Sequence, residues 1–317
     1  MNKLIIAGNG FDLAHGLPTS YNHFMDAFWA DLEVDYQDCL VEKLVYLNRD
    51  YLDFFQEEKI KNFKTFKSNI KSYLQKNYSF FEYILGEYSF SKRVNTSNNK
   101  DEIFLFKFKN QFFKQLNQIQ SIQNWVDVEN EYYQALKTIC KDTKLEVRQK
   151  RRNVVKLHEE FYQVKELLER YLKNNVNNIY DFNFHNYDWL RFYNCFRPIS
   201  MLDDKHNLFN EFLFKEDRDN VKKIIEDETK KSKFSKMTMS LILNFNYTPT
   251  LASYILASGL IKDVVKSGRV LLSHIHGIVS NNNIVFGFGD EMDEDYKLIE
   301  DMDDNEYLRY FKSFQYV

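Results

Sequence analysis

The sequence predicts an α/β protein in which a Rossmann-like parallel sheet is formed by the two end segments around a large, mostly α-helical insertion. Two observations lead to this fold class. Short apolar runs bounded by turns, typical of buried parallel strands, occur near residue 4 and again after residue 239. The long stretch between them has apolar residues at spacings of three and four, which is typical of helices. We therefore predict a discontinuous domain of residues 1–35 and 237–317, and an insertion domain of residues 36–236.

The first predicted element is a strand that leads into glycines and then a helix. The apolar run Leu4 to Ala7 ends at Gly8. Pro18 to Ser20 then supplies a turn and a helix cap, and the apolar residues of Tyr21 to Leu32 repeat every four positions. This is the strand, loop and helix order of a nucleotide-binding unit.

The remaining elements divide at about residue 239. From Tyr36 to Asp227 the pattern is helical, most clearly at Val154 to Leu172, with almost no strand signal. After Met239 we predict three short strands: Leu241 to Phe245, Val270 to Ile275 and Asn283 to Phe288. A helix, Leu251 to Leu260, is predicted between the first two strands.

Composition excludes several classes of protein. A net charge of −3 and a pI of about 6.2 argue against a dedicated nucleic-acid binder. Cys39, Cys140 and Cys195 are widely separated, with no zinc-ligand spacing and no disulfide framework. The sequence has neither a signal peptide nor a membrane span, so we expect a cytoplasmic protein that does not enter a membrane.

Glycine is scarce, so its positions carry information. Average usage predicts about 22 glycines in a chain of this length, and only 9 occur. Six of them cluster near the predicted strand ends: Gly8, Gly10, Gly16, Gly277, Gly287 and Gly289. Such clusters indicate backbone that needs positive φ or the close approach of a ligand.

The run from Gly8 to Asp12 directly follows the first strand and is the first candidate site. Its backbone N–H groups can point at phosphate, helped by the positive end of a following helix. Gly16 to Tyr21 adds a second loop within ten residues. The alternative is a glycine turn that only connects a strand to a helix.

Two later strand ends carry polar side chains. Asn244, Asn246 and Thr248 lie where a strand should end, a position at which open α/β sheets bind ligands and amides can hold ribose hydroxyls. They could instead cap the next helix. His274 and His276 close the following strand on one face and could form half of a metal site, a general base, or a structural pair.

The last block and a segment of the insertion complete the candidates. Asn283 to Glu291 repeats the pattern of strand and glycine, and its carboxylates, among them Asp290, could contact ribose or position a loop. In the insertion, Trp125 is most simply a core residue and Glu129 is a candidate whose role is open.

These blocks resemble the AbiH family of bacterial abortive-infection proteins. The opening Leu4 to Asp12 with Gly16 to Tyr21 is similar to that family's first motifs. The later blocks match in order: Trp125 to Glu129, Phe245 to Thr248, His274 to Gly277 and Phe286 to Asp290. The resemblance implies a role in defence against phage through growth arrest or death of the infected cell, set off by a phage-encoded trigger.

The same blocks also resemble the sirtuin motifs, which implies a sirtuin-like sheet and NAD as ligand or substrate. By this resemblance Asn246 and His276 are catalytic, and the residues implied to contact NAD are Gly8, Asn9, Gly10, Phe11, Asp12, Gly16, Pro18, Asn244, Thr248, Gly277, Gly287, Gly289 and Asp290. No metal is implied, because the four-cysteine zinc module of sirtuin deacetylases is missing, and protein deacetylation is therefore not expected. The chain also departs from the pattern at Asn9, where Ala is usual, and at Thr248, where Asp is usual.

Three functional hypotheses follow. The first is an NAD glycohydrolase effector that cleaves the nicotinamide glycosidic bond. The second is a non-catalytic module that senses NAD or ADP-ribose, with the insertion engaging a phage product or a sister subunit; a homo-oligomer is expected in either case. The third, a toxin that acts on RNA, needs acidic metal ligands or a basic groove that the sequence does not show.

Overall fold

The structure is a computed structural model that describes residues 2–78, 81–84, 86–93, 100–123, 127–182, 195–196, 205–229, 239–257, 269–289 and 293–315. The chain divides into two compact units. The first unit comprises Met1–Leu17 and Leu172–Ile284, and the second comprises Pro18–Tyr171 and Val285–Val317. The sequence-based domains have other bounds and stay a prediction.

Strands and helices alternate irregularly along the described part of the chain. The strands are β1 (Lys3–Ala7), β2 (Val45–Leu47), β3 (Phe81–Ile84), β4 (Glu87–Arg93), β5 (Lys100–Phe108), β6 (Met239–Asn244) and β7 (Arg269–His274). The helices are α1 (Asn9–Ala14), α2 (Tyr21–Asp35), α3 (Cys39–Leu44), α4 (Phe63–Asn77), α5 (Gln111–Gln123), α6 (Val128–Lys141), α7 (Val147–Tyr171), α8 (Lys205–Asn210), α9 (Lys215–Thr229), α10 (Thr250–Ala257) and α11 (Glu294–Glu300). Within the part of the chain that the structure describes, none of these helices combines the length and apolarity that crossing a bilayer requires.

The first unit contains the parallel sheet that the sequence predicts. Its described strands are ordered β1-β6-β7, and both pairings are parallel. One face of the sheet packs on α10, where Ile242 and Ala7 share a core with Leu251 and Ile255. Successive side chains of a strand point to opposite faces, so the residues between these core positions lie on the other face. The three predicted strands in β1, β6 and β7 are thereby confirmed.

The predicted strand Asn283 to Phe288 is wrong. The chain there makes only an isolated bridge between Phe288 and Phe311. Its alternating apolar residues are buried against helices: Phe286 stacks on Phe161 of α7 with ring centroids 4.9 Å apart, and Phe288 stacks on Tyr133 of α6 at 5.2 Å. The alternating apolar residues of this segment therefore result from packing against helices, and the segment forms no ladder of backbone hydrogen bonds with a described strand.

The second unit contains four described strands, β2 to β5, so the prediction of almost no strands between residues 36 and 236 is wrong, although the described residues there are mostly helical. It contains an antiparallel sheet, with described strands in the order β2-β5-β4-β3. Its strands carry buried aromatic residues such as Tyr88, Phe90 and Phe106. In a chain with 17% aromatic residues, such runs are easily taken for helix faces.

An aromatic core joins this sheet to the helices of the second unit. Trp29 of α2 is fully buried and packs against Phe66 of α4 and Phe113 of α5. Its indole Nε1–H donates to Asn117 Oδ1 at 2.6 Å, which satisfies the only polar group of the ring. The predicted helices in α2 and α7 are confirmed, with ends that differ by a few residues.

Candidate functional site

The carboxyl ends of three parallel strands lie side by side in the first unit. Ala7 pairs with Asn244 in register, and Asn244 pairs with His274. Because the strands are parallel, the residues that follow them emerge at the same edge of the sheet. The structure thus brings together Gly8 and the polar residues that the sequence singled out in two distant segments.

The predicted glycine loop after β1 is instead the start of a helix. Helix α1 begins at Asn9, immediately after Gly8, which has an ordinary φ of −105°. A Cβ built on Gly8 or Gly10 meets no described atom within 4 Å. Neither backbone conformation nor packing within the described chain therefore requires glycine at these two positions, and both face open space.

Asp12 is the most buried carboxylate at this edge. Its side chain is 1% exposed, and Oδ2 accepts a 2.7 Å hydrogen bond from the Thr248 hydroxyl, which also contacts Thr250 at 2.8 Å. Asp12 Oδ1 has no hydrogen-bond partner among the described residues. Burial raises the pKa of Asp12 above its usual value, although the hydroxyls of Thr248 and Thr250 oppose the change. This contact ties α1 to the segment that follows β6.

Replacing Asp12 by Asn is expected to change how stability depends on pH. Because the folded-state pKa of Asp12 is raised, the native protein binds a proton at a higher pH than the unfolded chain does. Its free energy of unfolding should rise as pH falls through that raised pKa, and level off below about 4, the unfolded value. Urea unfolding at pH 7, 6, 5 and 4 should show a smaller rise for Asp12→Asn; an equal rise in both proteins would contradict the assignment.

Asn244, Asn246 and His274 form a second hydrogen-bonded cluster. Asn244 is 0% exposed, and its Oδ1 accepts from the backbone N–H of Asn246 at 3.1 Å and from Asn246 Nδ2 at 3.0 Å. Its Nδ2 lies 3.0 Å from His274 Nδ1. Asn246 is 3% exposed, and its Oδ1 has no hydrogen-bond partner among the described residues. The cluster thus presents one buried acceptor that the described chain does not satisfy.

His276 lies among aromatic rings. It stacks on Tyr247 with centroids 5.9 Å apart and meets the edge of Phe245 at 5.1 Å. Its side chain is partly exposed. The following Gly277 has a φ of +73°, and a Cβ there would lie 2.1 Å from the Asn283 carbonyl oxygen, so the chain itself requires this glycine.

Sequence reasoning missed His15. Its Nδ1 lies 2.7 Å from the Phe11 carbonyl oxygen and its Nε2 lies 2.8 Å from the Tyr254 hydroxyl. These contacts join α1 to α10 on the packed side of the sheet. The only available signal was the spacing of four between Phe11 and His15, whose ring centroids lie 4.6 Å apart with the planes tilted by 45°. Gly16 follows with a φ of +75°, as expected for a glycine that ends a helix.

The remaining predicted residues belong to the second unit or lie outside the described residues. Asp290 and Trp125 are among the latter. The Pro18 carbonyl accepts from the Tyr171 hydroxyl at 2.7 Å. Within the described part of the chain, no group of three or more His, Cys, Asp or Glu side chains is placed to hold a metal ion.

Glu129, Gly287 and Gly289 form a packing cluster in the second unit. Glu129 accepts from the Gly287 N–H at 3.0 Å and pairs with Lys312 at 3.1 Å, and burial raises the pKa of its carboxyl. A Cβ at Gly287 would lie 2.0 Å from the Tyr310 carbonyl oxygen, and one at Gly289 would lie 3.1 Å from Lys312 Cβ. Contacts within this unit thus account for both glycines, and their role toward a ligand stays a prediction.

A family model described as Bacteriophage abortive infection AbiH matches residues 4–315, nearly the whole chain. No curated protein and no solved structure matches the chain.

Proposed function

Because the chain belongs to the AbiH family of bacteriophage abortive-infection proteins, we propose that it is an abortive-infection effector that binds and hydrolyses NAD at the carboxyl edge of its parallel sheet. Family membership implies the role in abortive infection. The NAD chemistry, and with it a Rossmann-like and sirtuin-like character of the sheet, rests on the residues at that edge.

The observation that carries the proposal is that the buried Oδ1 of Asn246 has no hydrogen-bond partner among the residues that the structure describes. A buried acceptor without a donor costs about 1–3 kcal/mol, so folding alone does not favour it. Its amide is held in place by Asn244, so the oxygen is directed before any ligand arrives. A ribose hydroxyl or a water molecule offers the donor that this oxygen needs.

The glycines that follow β1 supply the second part of the site. Gly8 and Gly10 face open space and are required by neither strain nor packing of the described chain. Side chains at these two positions would occupy the space through which a diphosphate approaches the backbone. We assign the diphosphate of NAD to this segment and its nicotinamide ribose to Asn246.

The reaction needs an acceptor for one proton. Water adds to C1′ of the ribose, and the C–N bond breaks with its electron pair leaving on the nicotinamide nitrogen, through an oxocarbenium-like state. In the proposal Asn246 orients the ribose or the water through Oδ1, and His276 takes up the proton that the water releases. The rings of Phe245 and Tyr247 hold the imidazole of His276 in a defined orientation.

Release of nicotinamide tests the proposal. Purified protein is incubated with NAD, and nicotinamide is followed by chromatography for the wild type, for His276→Ala and for the control Asn281→Ala, which changes an exposed residue of the same unit. Release that is lost only in His276→Ala supports the hydrolase. Thermal stabilisation by NAD without release would indicate the sensing module instead. If NAD neither stabilises the protein nor is cleaved by it, both the hydrolase and the sensing module are refuted.

Gly10→Ala separates the effect of this glycine on stability from its proposed effect on NAD binding. Alanine inside a helix is more favourable than glycine by about 1 kcal/mol, and the added methyl group meets no described atom, so the free protein should become slightly more stable. NAD should bind the variant more weakly, because the methyl group obstructs the approach to the backbone. Thermal unfolding with and without NAD measures both effects; unchanged stabilisation by NAD would place the diphosphate elsewhere.

A further inference from the structure

We propose that His274 is a positioning residue that acts through Asn244 to hold the amide of Asn246 in its working orientation. The hydrogen bonds run from His274 to Asn244 and from Asn244 to Asn246, across the ends of β7 and β6. The inference rests on the proposed function, since it assigns a role to the orientation of Asn246, but the contacts themselves can be tested without NAD.

The backbone determines which way the Asn244 amide points. The N–H of Asn246 is only a donor, so the Asn244 atom 3.1 Å from it has to be the oxygen. The opposite end of the amide is then the NH2 group, and that group lies 3.0 Å from His274 Nδ1. The assignment of oxygen and nitrogen in Asn244 therefore follows from hydrogen bonding alone.

The same reasoning determines the tautomer of His274. Because the Asn244 NH2 group donates, His274 Nδ1 has to accept and carries no proton, so the proton of the neutral ring lies on Nε2. Burial also lowers the pKa of His274 below its usual value. Geometry and desolvation thus favour the same neutral form.

A second proton on His274 would disrupt the cluster. Nδ1–H and the Asn244 NH2 group would then be two donors facing each other. If Asn244 rotated to offer its oxygen to His274, its NH2 group would face the donors of Asn246, and Asn246 would lose its anchor. Other titratable groups at this edge are His276, two residues along the chain, and Asp12 with His15 on α1, so the test has to resolve His274 individually.

Nitrogen NMR of protein labelled in its histidines and asparagines tests the tautomer, with the His274 signal assigned by its absence in His274→Asn. At pH 7 we expect His274 with Nδ1 unprotonated and Nε2 protonated. On acidification, the side-chain amide signals of Asn246 should shift together with the titration of His274, and this coupled shift should vanish in His274→Asn. A protonated Nδ1 at pH 7, or Asn246 signals that do not respond to His274, would overturn the inference.

The conservative variant separates positioning from a general structural role. Asn at 274 can still present an acceptor near the place of Nδ1 and does not titrate, whereas Ala presents none. We expect His274→Asn to retain nicotinamide release and to lose less of it at acid pH than the wild type, and His274→Ala to lose roughly tenfold to a hundredfold at every pH. Equal losses in both variants would contradict the inference. A wild type that releases no nicotinamide would refute the proposed function and leave the NMR result to decide the positioning role.

Discussion

Asn246→Ala is expected to reduce nicotinamide release by roughly a hundredfold to a thousandfold, the usual effect of removing one directed polar group from an active site. The stability of the fold should change little. The substitution removes a bond to Asn244 but also removes a buried oxygen that has no partner among the described residues. Chemical unfolding in urea and the release assay on the same preparations separate the two quantities.

Two companion variants make this result interpretable. Asn246→Asp keeps an oxygen in the same place but adds a charge and loses the donor to Asn244, so it should also be inactive. Asn281→Ala, an exposed asparagine of the same unit, should behave as the wild type does. A folded Asn246→Ala protein that releases nicotinamide at the wild-type rate would show that Oδ1 of Asn246 does not serve the reaction. Unfolding of this variant would contradict the expected stability.

Gly287→Ala is expected to destabilise the second unit by about 3 kcal/mol, at the upper end of what overpacking in a core costs. The added Cβ would lie 2.0 Å from the Tyr310 carbonyl oxygen, which is backbone and cannot rotate away. The shift needed to relieve this clash would disturb the bond from the Gly287 N–H to Glu129 and the neighbouring bridge between Phe288 and Phe311.

Urea unfolding measures the effect, and Gly8→Ala is the matched control. A Cβ at Gly8 meets no described atom, and its φ of −105° suits any residue, so that variant should stay within about 0.5 kcal/mol of the wild type. Similar stability losses in the two variants would mean that packing does not distinguish these glycines. A stable Gly287→Ala protein would refute the assignment of a structural role.

The strands of the parallel sheet could be predicted because their signal is local. Leu4 to Ala7 and Leu241 to Phe245 are short apolar runs with turns beside them, and they lie within the observed β1 and β6 or one residue beyond. The antiparallel sheet of the second unit could not be predicted in the same way. In β4, Tyr88 and Phe90 alternate with polar residues, but aromatic residues are so common in this chain that the alternation did not stand out from helix faces.

At the candidate site, positions could be predicted but partners could not. Asn244 and His274 were placed at strand ends, because a strand end is visible in the sequence. The contact between Asp12 and Thr248 joins residues 236 positions apart, and neither segment contains a local pattern that predicts it. Likewise, the sequence does not distinguish Gly287 from Gly8. In the structure, backbone crowding requires glycine at 287 and does not require it at 8.

The pairing of β1 with β6 also has a consequence for how the protein is made. A ribosome adds about 5–20 residues per second, so the 236 residues that separate Asp12 from Thr248 take roughly 10 to 50 s to synthesise. During that time β1 exists without the neighbour that it pairs with in the finished sheet. Every nascent chain therefore lacks the paired strands on which the proposed NAD site depends until translation has passed β6.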